Sequence, residues 1–384
     1  MTTTTRVFSL GGWTVAAALG LLCLPITRRI PESLVVSGAS LTQISSDEFP
    51  SERAPFVISG IDAFGGVDVR LVVSEGQSEN SRVERSVILY SSDGGTTWER
   101  QLVTNASADY GTTLEEVRFV SSSVGWAAGY NGIIMRTTDA GRSWLRQPSP
   151  TKAILTKIQF VDDDWGWILA EEGGEILHTE DGGVNWRAYN FSTTGRMSSF
   201  SFRDRFNGWI VGENGQAFET KDAGKHWAPR GREVCAKVNS SAQSEIVFRQ
   251  VRFVSRDVGF IAAGFNYKWP EYRPNGVILK TTNGGRTWQR IIASRTLGLR
   301  YADFASNDNI WIVQGDYRDE RLLHSADGGR HWFFVHAASK AGIVKFVDRN
   351  NGWLIAGLWD YPITDQLLRT TDGGLTWSQV ELPK

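Results

Sequence analysis

The chain has 384 residues, with 40 Gly and 16 Trp but only 2 Cys, 3 Met and 5 His. Hydrophobic residues at 41% exclude wholesale disorder, and a lone Cys235 beyond the apolar N-terminus excludes an intrachain disulfide or a Cys/His metal cluster there. With 41 basic against 42 acidic residues the net charge is −1, so there is no global basic field for nucleic acid.

The first element is apolar. Between Arg6 and Arg28 lie 21 uncharged residues, enough as a helix to cross a hydrocarbon core of about 30 Å. Residues 1–30 are therefore expected to form a helical signal peptide or membrane anchor, which places the rest of the chain outside the cytoplasm. Ala16-Ala17-Ala18 falls too early for a cleavage site, inside the apolar stretch. Residues 31–53 follow as a linker, in which SLVVSG is a candidate for an extra outer strand.

From residue 54 onward one pattern repeats. SSDGGTTW ends at Trp98, TTDAGRSW at Trp144, TEDGGVNW at Trp186 and TKDAGKHW at Trp227; TTNGGRTW ends at Trp288, SADGGRHW at Trp332 and TTDGGLTW at Trp377. The spacings are 46, 42, 41, 61, 44 and 45 residues. In each box an acceptor side chain (Asp93, Asp139, Asp181, Asp222, Asn283, Asp327 or Asp372) is placed to close an Asx-type turn. The following Gly-Gly or Ala-Gly supplies positive φ for a tight hairpin. The Trp opens the outgoing strand, where its ring can pack on a neighbouring unit.

Upstream of each box lies a second motif. VRFVSSSVGWAAG holds Gly125-Trp126, IQFVDDDWGWILA holds Gly166-Trp167 and FSFRDRFNGWIVG holds Gly208-Trp209. VRFVSRDVGFIAAG, DNIWIVQG and VKFVDRNNGWLIAG continue the series, and only the first unit lacks a Gly-aromatic pair or its Trp. Each motif is strand, turn, strand; a third strand such as GVILKT leads into the box and a fourth leaves it. Four antiparallel strands in about 45 residues is the size of a propeller blade. The expected fold is all-β: a single seven-bladed β-propeller over residues 54–384, preceded by the apolar helix.

The Gly-Trp motif followed by the box resembles the Asp-box (BNR) repeat family. More closely, the seven-fold box count combined with the Gly-Trp motif resembles the photosystem II stability and assembly factors and their bacterial relatives. The resemblance covers all seven units. It implies a non-catalytic scaffold in the periplasm or thylakoid lumen that binds a membrane-protein partner through an arginine-bearing face. The box also occurs in sialidases, and Arg29-Ile30-Pro31 matches a short sialidase motif, although here it abuts the apolar segment.

Loop lengths point to one face. The second turn of a blade is short in blades 2 to 4 but expands to FNYKWPEYRPNG in blade 5, QGDYRDER in blade 6 and LWDYPITDQ in blade 7. Those loops hold Tyr267, Trp269, Tyr272, Arg273, Tyr317, Arg318, Trp359 and Tyr361. Tyr, Trp and Arg dominate interface hot spots; the same aromatics would also serve to pack long loops onto the scaffold. Arg249, Arg252 and Arg300, near inner-strand starts, are placed to line the channel mouth and suit carboxylates of a partner chain.

Two functions follow as expectations. The first is a monomeric, membrane-tethered or secreted scaffold with a protein partner and no metal or cofactor. The second is a sialidase-like or other glycan-active hydrolase, which needs two carboxylates about 5–9.5 Å apart. Its candidates are Glu271, Asp316, Asp319, Glu320 and Asp360. The five histidines sit at strand or box positions, where a structural role is expected.

Overall fold

Seven four-stranded antiparallel sheets follow one another along the chain, each built from four consecutive strands. The computed structural model describes residues 56–75, 85–105, 113–238, 246–265, 276–294, 298–315, 320–337, 341–357 and 365–383. They belong to one compact unit, Glu52–Lys384. The apolar helix, the linker and SLVVSG lie outside the described residues. The inner strands are Phe56–Phe64, Leu114–Phe119, Leu155–Phe160, Met197–Phe202, Ile246–Phe253, Leu299–Phe304 and Ala341–Phe346. The seven-bladed propeller read from the repeats is therefore the architecture, with one addition: a short helix, Gly231–Cys235, in the long connection before blade 5. It buries Val234 and Cys235, with Val238 just beyond its end, in a core cluster shared by blades 4 and 5.

The two motifs hold each other in place across blades. Trp167 of blade 3 is fully buried, lies on Phe202 of blade 4 with centroids 3.7 Å apart, and donates its indole N–H to Ala223 O in the box of blade 4. Trp126 stacks the same way on Phe160, and Trp311 on Phe346. Such ring pairs add about 0.5–1.5 kcal/mol each beyond area burial. The glycine before each Trp is required by space. A Cβ on Gly208 would come within 2.6 Å of the Phe202 ring, and the same clash with the blade's own Phe recurs at Gly125, Gly166, Gly259 and Gly352.

The box turns are internally saturated. In blade 3, Asp181 Oδ1 accepts from Asn185 N at 2.9 Å and Oδ2 from Asn185 Nδ2 at 2.8 Å. Thr179 donates its hydroxyl to Asp181 Oδ1 and accepts from the buried Gly183 N at 2.9 Å. Asp93, Asp139, Asp222, Asn283, Asp327 and Asp372 each accept the backbone N–H four residues on in the same way. His226 and His331 add their Nδ1 to Asp222 and Asp327, and His178 and His324 stack on Trp167 and Trp311. These four histidines serve the frame, as expected; the side chain of His336 lies outside what the structure describes.

No described strand is exchanged to close the ring. Blade 7 meets blade 1 through one backbone hydrogen bond, Asp365 N–H to Phe56 O at 3.3 Å, and through side chains. Asp365 Oδ2 accepts the N–H of Ile58 at 2.7 Å, and Arg369 donates to Gly94 O at 3.0 Å. Trp353, Ile355 and Leu367 share one core cluster with Ile58, Val69 and Leu71. Blade 1, which lacks the Gly-Trp pair, places Arg70 in the Trp position; its guanidinium lies 3.6 Å above the Phe119 ring. A buried cation thus replaces an indole on the same aromatic platform.

Candidate functional site

Every inner strand carries a bulge at the same point. The pairing with the second strand slips between Ile58 and Gly60, Leu114 and Glu116, Met197 and Ser199, Phe248 and Gln250, and Leu299 and Tyr301, with equivalent slips in blades 3 and 7. A bulge leaves one residue unpaired and re-aims its side chain. In blades 5 and 6 that residue is Arg249 and Arg300, and both line the central cavity. They enter it from the end where the inner strands begin, the end to which the second turns also return.

The cavity is the propeller lumen, about 620 Å³. Below the bulge, one position per blade lies opposite the Trp or its substitute in the second strand. In blade order it is Asp62, Arg118, Gln159, Ser201, Arg252, Asp303 and Lys345. These seven equivalent positions carry five different side-chain types.

Most of them are tied to the neighbouring blade. Arg118 bridges Asp62 and Glu116 at 2.8 Å each, and Lys157 reaches Glu116 at 3.2 Å. Asp62 also accepts the N–H of Phe119. Gln159 exchanges two hydrogen bonds with the Phe202 backbone, and Ser201 accepts from Phe253 N. Asp303 accepts from Phe346 N and lies 3.7 Å from Lys345 Nζ. Burial alone would depress the Arg118 guanidinium, but Asp62 and Glu116 hold it above its usual range. Burial likewise pushes Glu116 up, and Lys157 and Arg118 more than reverse it, so it stays ionised. Six cations (Arg118, Lys157, Arg249, Arg252, Arg300 and Lys345) line the cavity against three carboxylates, Glu116, Glu213 and Asp303.

The aromatic and arginine loop residues of the sequence reading, Tyr267, Trp269, Tyr272, Arg273, Tyr317, Arg318, Trp359 and Tyr361, lie outside the described residues, as do Glu271, Asp316, Asp319 and Asp360. Glu320 begins the third strand of blade 6. Among the described residues no group of His, Cys, Asp and Glu is placed to hold a metal ion, and none of their helices is long and apolar enough to cross a membrane. Burial pushes the Cys235 thiol up to about 11, which leaves it protonated and inert. Of the lumen positions only Arg252 was singled out from sequence, yet a signal existed for the others. In six of the repeats they are the variable residue just before the inner-strand Phe: RF, QF, SF, RF, DF and KF.

Fold and repeat together define a class, the seven-bladed Asp-box β-propeller, here with a charged lumen. Within that class the chain is photosystem II assembly factor-like. Residues 82–149 and 184–300, just under half the chain, match the family model of the photosynthesis system II assembly factor YCF48. The chain is 38% identical over 88 residues to the chloroplast photosystem II stability/assembly factor HCF136 of Arabidopsis thaliana, a match covering 22% of this chain and 21% of that protein. Most of that relative's length is therefore unmatched. Among solved structures, YCF48 bound to D1 peptide superposes with a TM-score of 0.58 at 19% identity, over 83% of this chain and 94% of that one. YCF48 from Cyanidioschyzon merolae gives 0.57 at 17% identity, over 83% and 96%. An ancestral GH74 enzyme gives 0.54 at 12%, over 84% and 44%. At these identities the superpositions show the fold alone, and that fold is shared with enzymes.

Proposed function

We propose that this protein is a non-catalytic scaffold outside the cytoplasm that binds a protein partner and assists assembly or stability of a membrane complex. The observation that carries the reading is the match of its repeats to the assembly-factor family model. YCF48 has been solved with a D1 peptide, so a propeller of this shape accommodates a segment of another chain. The partner meets the face where the inner strands begin, through Tyr267, Trp269, Tyr272, Arg273, Tyr317, Arg318, Trp359 and Tyr361, with Arg249 and Arg300 at the mouth supplying charge for acidic groups. The lumen carboxylates support a binding role over hydrolysis, because Glu116 and Asp303 are engaged by Arg118, Lys157 and Lys345. The N-terminal segment tethers or exports a monomeric propeller.

Crosslinking the full chain in its membranes, followed by detergent solubilisation and capture, tests this. The expected result is one reproducible membrane-complex subunit whose yield falls in a Trp269→Ala/Trp359→Ala variant. Capture of no specific partner, or a partner retained unchanged by that variant with turnover of a glycan substrate, would overturn the reading.

A further inference from the structure

The lumen ring leaves one member over. Asp62, Arg118, Gln159, Ser201, Asp303 and Lys345 all engage a neighbouring blade, whereas Arg252 makes no hydrogen bond or ion pair with any described residue. We propose that Arg252 holds a small tetrahedral oxyanion, of the size of phosphate or sulfate, inside the propeller lumen. This stands independently of the scaffold reading, since it concerns the channel wall and not the loop face.

The argument is one of charge and geometry. Arg252 is exposed to the cavity but enclosed by the ring of inner strands. Its guanidinium offers a planar fork of donors with no acceptor of their own. On one side stands Ser201, whose hydroxyl is engaged by Phe253 N, and on the other Asp303, taken by Phe346 N and Lys345. The surroundings are also short of negative charge. Burial lowers the Arg252 pKa first and Arg118 lowers it further; Asp303, Asp62 and Glu116 oppose this without reversing it. Lys345 is raised by Asp303, but burial, Arg252 and Arg118 together bring it below its usual range. Three cations thus repel one another around one cavity, and an oxyanion placed among them relieves all three while accepting bidentately from Arg252. Gln250, two residues earlier on the same strand, lines the same cavity and supplies a neutral donor.

The test is a titration of the full chain with inorganic phosphate in chloride buffer at constant ionic strength, so that general screening is held fixed. Binding is read from the thermal midpoint and from phosphorus NMR line width. The wild type is expected to show a saturable rise in both, with sulfate competing. Arg252→Gln should weaken phosphate by about tenfold or more, the value of a charge-assisted contact. Arg252→Lys, which keeps the charge without the fork, should fall between them and carries the test if the Gln variant does not fold. Arg146→Gln, on an exposed outer strand away from the cavity, should leave the titration unchanged, and Arg249→Gln and Arg300→Gln should weaken phosphate less than Arg252→Gln does. Non-saturable binding, equal affinity in Arg252→Gln, or a larger loss in Arg249→Gln or Arg300→Gln overturns the proposal. So does acetate binding where phosphate does not, which would reassign the position to a chain carboxylate.

Discussion

The box turns and the lumen ring are both seven-fold, yet they treat polar residues in opposite ways. At the boxes the sequence is nearly invariant and each described acceptor is filled within its own turn, four residues away. At the lumen the equivalent positions vary from Asp to Arg to Ser, and all but Arg252 find partners on an adjacent blade. Repetition with internal satisfaction marks scaffolding, because such groups have nothing left to offer a ligand. Divergence at equivalent positions marks the place where the symmetric frame was adapted.

The largest effect is expected where the frame itself is cut. Trp167→Ala removes a buried indole from between His178 and Phe202 and leaves Ala223 O without its donor. A loss of about 3–5 kcal/mol should appear in chemical denaturation. A cost under about 1 kcal/mol would mean that the blades are not coupled through this stack.

Within the lumen the comparison sharpens to two arginines at equivalent positions. Arg118→Met strands Asp62 and Glu116, both 6% exposed, without their shared cation. Breaking such a buried pair costs about 3–5 kcal/mol, partly offset here because Lys157 still reaches Glu116. Arg252→Met removes a cation that has no partner and repels Arg118 and Lys345. In phosphate-free buffer it should change stability by less than about 0.5 kcal/mol or raise it slightly. Equal losses in the two variants would erase the distinction between a structural and a spare charge.

A smaller change probes the box. Thr179→Val keeps the side-chain shape but leaves the buried Gly183 N–H without its acceptor. About 1–3 kcal/mol should be lost, visible in the denaturation midpoint. An unchanged midpoint would show that water reaches the turn.

How far the sequence disclosed all this depended on which residues repeat. Box acceptors, Gly-Trp pairs and third strands recur with fixed spacing, so the blade count and strand order were legible from Trp98 to Trp377. The bulge was not, because the residue it displaces is Ser59 in one blade and Arg249 in another, with no shared chemistry. That is why Arg249 and Arg300 were placed at the mouth by topology alone, while Asp62, Arg118, Asp303 and Lys345 went unnoticed. Arg70 was hidden for a related reason. Nothing local says that an arginine replaces an indole until the strand register is known. The helix Gly231–Cys235 lies in an insertion with no counterpart in other blades and too short for a helical period to show.

The seam between the last blade and the first offers the mildest prediction. Asp365 is 2% exposed, with one oxygen accepting from Ile58 N and the other, Oδ1, buried without a partner among the described residues. Burial pushes its pKa up to about 6, against a smaller opposing pull from the Ile58 N–H. The fold therefore prefers the protonated acid. Stability from this group is full below its ordinary pKa near 4, is lost as pH rises towards about 6, and above that remains as a constant penalty. Asp365→Asn keeps an acceptor for Ile58 and cannot ionise. It should raise the thermal midpoint at pH 7.5, on the order of 1 kcal/mol of stability, and leave it nearly unchanged at pH 4. A variant destabilised at pH 7.5 but not at pH 4 would show that the charge itself holds the seam, making ring closure an ionic contact and not a desolvated one.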